Sequence, residues 1–143
     1  MIAPPPKLEN LPAGTQLVAG IGKSTIIADF DFETYSEAGF IWNETTQKYE
    51  PPPPGGKNRP KGLPVVGAPA YAAHPSTEVL CLAYDLKDGK GQRQWRPGQP
   101  PPLDLFEHVK NRRPLEAWNV MFEYLIWTHV CVPKYGFPPL TPW

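Results

Sequence analysis

Between Ser24 and Thr34 the chain changes from an apolar run to strict alternation. Ile26-Ile27 reads as a strand start buried on both faces. From Asp29 onward Asp29, Asp31 and Glu33 fall on one side, and Phe30 and Phe32 on the other. This predicts a first strand. Glu78–Leu86 is rich in β-formers and leads through a turn beginning at Asp88-Gly89 to Gln94-Trp95, which predicts a hairpin. Leu103, Phe106 and Val109 share one face of a short amphipathic helix over Leu103–Lys110, broken by Arg112-Arg113-Pro114. Leu115–Trp118 reads as a short strand running into Asn119. That asparagine is suited to cap a helix over Val120–Val130, which Val132-Pro133 should end. A β-rich block followed by helix, strand and helix predicts an α/β layer fold, with helices against a mixed sheet.

Composition refines this picture. The 143 residues suit one domain. The 21 prolines exceed the usual share of roughly 5% and mark edges, turns and loops. They define a Pro/Gly-rich lead-in over residues 1–23 and a Pro-rich insertion at about 44–63, read as a long loop, within a domain spanning 24–143. Fourteen basic and fourteen acidic side chains cancel, with pI near 6.8. Binding of nucleic acid by bulk positive charge is therefore not expected; any such contact must be local or carried by cations. Cys81 and Cys131 sit in apolar runs and read as buried free thiols. With no charged-then-apolar leader and no apolar run approaching the roughly 20 residues of a span, the expectation is a soluble cytoplasmic protein with no membrane partner.

Asp31 and Glu33 project to the same side of a strand. Such a pair is costly to bury without compensation, and a divalent cation is the simplest compensation, since Mg2+ takes carboxylate oxygens. Ordinary exposed acids are the alternative. Glu123 falls one turn into the helix that begins at Asn119, where it can face the strand ends; an acid suited to the helix dipole explains it equally.

Together, DFETYSEA, YAAHPSTEVLCLAYDL, WRPG, AWNVMFEYLIW and VCVPKYGFPPL resemble the 3'-5' exonuclease (proofreading) domain of family A, DNA polymerase I type polymerases, especially phage and prophage versions. That resemblance covers most of residues 24–140 and implies a ribonuclease H-like fold of the DEDD exonuclease superfamily, from a bacterial host cell. It implies two ions of Mg2+ or Mn2+ and hydrolysis at a single-stranded DNA 3' end, releasing nucleoside 5'-monophosphates. Asp31 and Glu33, followed by Thr34, match the first motif, and Asn119, Phe122 and Glu123 the second. Asp31, Glu33 and Glu123 would be the metal-binding and catalytic acids. Thr34, Asn119 and Phe122 would lie at the substrate, with Asn119 holding local backbone or substrate and Phe122 packing beside the terminal nucleotide or the core.

Two features depart from the pattern. The second motif carries Glu123 where better-known members have Asp. No Tyr-x-x-x-Asp or His-x-x-x-Asp follows it; Tyr84–Asp88 precedes it and lies in a turn. The expectation is thus a segment truncated before the third motif: either active only when that motif is supplied, with the remaining polymerase polypeptide as partner, or a remnant with weak metal and DNA binding. The alternatives are a non-catalytic ribonuclease H-like module that binds a protein or nucleic-acid partner, and a stand-alone nuclease borrowing Asp29. His74, His108 and His129 read as surface or cap residues. Arg93, Arg96, Arg112 and Arg113 with Trp95 and Trp118 could form a surface for single-stranded DNA, although solvated charge and core tryptophans explain them more simply.

Overall fold

The structure is a computed structural model that describes residues 16–17, 26–51 and 62–141. Its elements are β1 (Gln16–Leu17), β2 (Ala28–Tyr35), β3 (Ile41–Asn43), β4 (Lys48–Glu50), α1 (Leu63–Val66), α2 (Ala68–Ala73), β5 (Glu78–Asp85), β6 (Arg93–Trp95), α3 (Leu103–Lys110), β7 (Leu115–Glu116), α4 (Val120–Ile126) and α5 (Val132–Tyr135).

The alternating segment becomes β2, the centre of a mixed five-stranded sheet ordered β1-β7-β2-β5-β6. β2 pairs antiparallel with β5, from Asp29 opposite Asp85 to Tyr35 opposite Glu78, with a register shift between Glu33 and Thr34. On its other edge it runs parallel to β7 over only Ala28 and Asp29. The protein is therefore mixed α/β, with helices against a sheet of mixed orientation.

Period-two alternation separates the two sheet faces. Phe30, Phe32, Leu82, Tyr84 and Trp95 are buried on one face. Trp127 meets Phe30, Phe32 and Phe137 edge-on, with ring centroids 5.7, 6.3 and 5.0 Å apart. Phe137 also contacts Phe106 of α3 and Trp95 of β6, so one cluster joins the sheet, α3 and the C-terminal helices. On the opposite face lie Asp29, Asp31 and Glu33 of β2, Cys81, Ala83 and Asp85 of β5, and Gln94 of β6, and not one of these is buried. Cys131 is buried as expected, whereas Cys81 is only partly so; both are free.

Several elements differ from the sequence expectations. The described part of the lead-in, Gln16–Leu17, pairs its backbone with Glu116 and Leu115, closing the far edge of β7. Its other residues lie outside the described ones, as do Ser24 and the middle of the insertion, including Lys57, Arg59 and Lys61. The insertion opens as a hairpin: Ile41 pairs with Glu50 and Asn43 with Lys48, and the Asn43 side chain accepts the Thr45 N–H. Residues 63–73 form two short helices with prolines in their first turns, where no N–H is needed. Gly67, at φ 79° in the left-handed region, separates them.

Val132-Pro133 does not end the last helix. α4 widens into a π-helical turn at Trp127–Cys131, and α5 restarts with Pro133 in its first turn. The proline thus falls in the first turn of α5, where its missing N–H and fixed φ are tolerated. The helix stops instead at Gly136, in a left-handed conformation. Among the described residues, no helix is long and apolar enough to cross a membrane.

Candidate active site

Glu123 is brought to β2 by a gap in the sheet. The Ala28 N–H donates to the Pro114 carbonyl at 3.1 Å. The Phe32 N–H, four residues on, points to the same edge. But β7 stops at Glu116, so among the described residues that N–H meets no strand carbonyl. The Glu123 carboxylate fills the place, with Oε2 accepting from the Phe32 N–H at 3.0 Å. Asn119 makes this reach possible by capping α4, its side-chain oxygen accepting the Phe122 N–H at 3.4 Å.

Glu123 is only 3% exposed. Burial, then the Asp31 charge, a hydrogen bond with Asp31 and the Glu33 charge push its carboxyl up to about 8, against the lowering effect of the Phe32 N–H. The three acids therefore approach one another around the middle of β2, with Asp31 and Glu33 exposed and Glu123 beneath the strand edge. Oxygen donors of this kind suit a hard divalent cation, which would relieve their mutual repulsion. As the side chains stand, no group of three or more His, Cys, Asp or Glu among the described residues is gathered to hold a metal ion. Glu123 is turned to the backbone instead.

Asp31 lines an open depression of about 830 Å3 on the unburied sheet face, with Asp29, Ala83, Asp85, Glu116 and Trp118 around it. Asp29 is committed within this depression. Burial raises its carboxyl, but hydrogen bonds with Lys87 and Glu116 and the Lys87 charge outweigh that and hold it below its usual range. Lys87 bonds Asp29 directly and lies 3.6 Å from Asp85. An acid so occupied is a poor spare ligand.

The remaining candidates have clear partners. The Thr34 hydroxyl lies 3.0 Å from the Tyr71 hydroxyl, and the Tyr71 ring packs on Phe122 with centroids 5.8 Å apart. Phe122 is buried. α2 thus ties the end of the first motif to the second, a role for Tyr71 that only its place in the run YAAHP could have suggested. His108 is buried with Nε2 2.9 Å from the Pro114 carbonyl, and desolvation lowers its pKa. The ring of His74 meets Tyr49 of the β3–β4 hairpin edge-on, with centroids 4.7 Å apart. His129 is exposed in the middle of the π turn. Of the aromatic and basic residues, Trp95 is buried and Arg93 bonds Asp88 and Asp104, whereas Trp118 is 84% exposed.

No family model, no curated protein and no solved structure matches the chain.

Proposed function

We propose that this chain is a 3'-5' exonuclease segment of a phage or prophage type DNA polymerase, with a ribonuclease H-like frame and a cation-dependent site for a DNA 3' end. The observation that carries the reading is that Asp31 and Glu33 flank Phe32 on β2, and the Phe32 N–H is held by the Glu123 carboxylate of α4 at 3.0 Å. The strand order supports the frame: β2, β5 and β6 form an antiparallel block, and after α3 the chain lays β7 parallel to β2 on its free side.

In this reading Asp31 and Glu33 present their carboxylates on the open face, and Glu123 turns from the Phe32 N–H to join them. Bound Mg2+ or Mn2+ would supply charge stabilisation at the scissile phosphodiester. Asn119 holds the first turn of α4, so that Glu123 stays level with Asp31. Tyr71 restrains Thr34 and Phe122 from the other side.

The test is a 5'-labelled single strand incubated with Mn2+. The expected outcome is cation-dependent binding, with at most slow shortening from the 3' end, both lost in Asp31→Asn. DNA binding that ignores both the cation and Asp31→Asn would instead favour a non-catalytic interaction module. One observation favours that second reading: Glu123 already serves a structural purpose, completing the backbone bonding of β2.

A further inference from the structure

The depression beside Asp31 has an aromatic wall that the carboxylate chemistry does not use. In the parallel pair, Ala28 stands opposite Leu115 and Asp29 opposite Glu116. β7 ends at Glu116, and two residues on, in the turn before α4, Trp118 lines the same depression as Asp31. The Trp118 backbone is held on both sides: Ala117 and Val120 are buried, and Asn119 caps α4. Its side chain is nevertheless 84% exposed. A large aromatic group on a fixed backbone, left in water at the rim of a concave site, is a preorganised stacking surface.

The geometry points to Trp118 as the platform on which the 3'-terminal nucleobase stacks. This assignment rests on the exonuclease reading of the acids. Ala83, directly opposite Asp31, keeps the floor of the depression low. Its volume of about 830 Å3 is ample for a nucleotide, within the roughly 300–1,000 Å3 usual for ligand sites. A base on the indole places the adjoining phosphodiester toward Asp31 rather than toward the core face. Stacking reads the π-face common to all bases, so the platform discriminates little among them and favours unpaired ends, whose bases are free to stack. Trp95, the other tryptophan of the basic and aromatic set, is only 4% exposed and belongs to the core.

The experiment compares two short oligo-dT strands in the presence of Ca2+, one intact and one whose 3'-terminal nucleotide lacks its base. Each is titrated into the wild-type chain and into the Trp118→Ala, Trp118→Phe and Asp31→Asn variants. We expect the wild type to bind the intact strand roughly tenfold more tightly than the abasic one. Trp118→Ala should bind both at the abasic level, Trp118→Phe should keep most of the preference, and Asp31→Asn should weaken both strands. A Trp118→Ala protein that keeps the wild-type preference overturns the platform and leaves the exonuclease reading standing. A wild type that binds neither strand, or an Asp31→Asn protein that binds both like wild type, overturns the exonuclease reading and the platform with it. Because the side chain is so exposed, loss of fold does not confuse these outcomes.

Discussion

At the scale of single residues, Glu123 carries the main conflict in the structure, a carboxyl buried beside two other acids. Its alternation-derived neighbours Asp31 and Glu33 were legible in the sequence, because a period of two places them on one face whatever the sheet does. The burial of Glu123 was not legible. It depends on β7 ending two residues after it starts, which leaves the Phe32 N–H for a side chain to satisfy. The folded-state value of about 8 lies above the ordinary 4.5. The protonated form is thus favoured by folding. Its contribution to stability is fully present below about pH 4.5 and is lost as pH rises toward 8. The slope is at most about 1.4 kcal/mol per pH unit. Glu123→Gln keeps an acceptor for the Phe32 N–H without the charge. We predict that denaturant unfolding at pH 5 will give nearly equal stabilities for the two proteins, whereas at pH 8 the Gln variant will be the more stable. A wild-type stability that is flat across this interval would contradict the assignment.

At the scale of elements, helix α3 matches the predicted Leu103–Lys110 because its apolar spacing is locally complete and Pro114 limits it. The β3–β4 hairpin escaped because three-residue strands carry too little alternation to stand out from polar loop. α1 and α2 are not legible because proline signals a loop and a first helical turn alike, and four to six residues show too little periodicity to decide between them. Pro133 carries the same ambiguity, since it stands in the first turn of α5, and nothing local in WTHVC signals the π turn before it. The cap at Asn119 was legible and has a measurable consequence. Asn119→Ala should cost about 1 kcal/mol, and Asn119→Asp should recover most of it, read from urea midpoints at constant slope. Equal stability of Asn119→Ala and wild type would mean that the 3.4 Å cap bond contributes nothing.

At the scale of the whole molecule, the α/β class followed from the order of elements, while the arrangement β1-β7-β2-β5-β6 required tertiary pairing that no local pattern encodes. The resulting sheet buries one face and leaves the acids on the other, which turns a strand motif into a candidate cation site. Calorimetric titration of Mn2+ into the wild type, Asp31→Asn and Glu33→Gln at neutral pH tests that site without any need for turnover. The predicted result is a saturable heat in the wild type that Asp31→Asn abolishes and Glu33→Gln weakens. Identical titrations for all three proteins would contradict it.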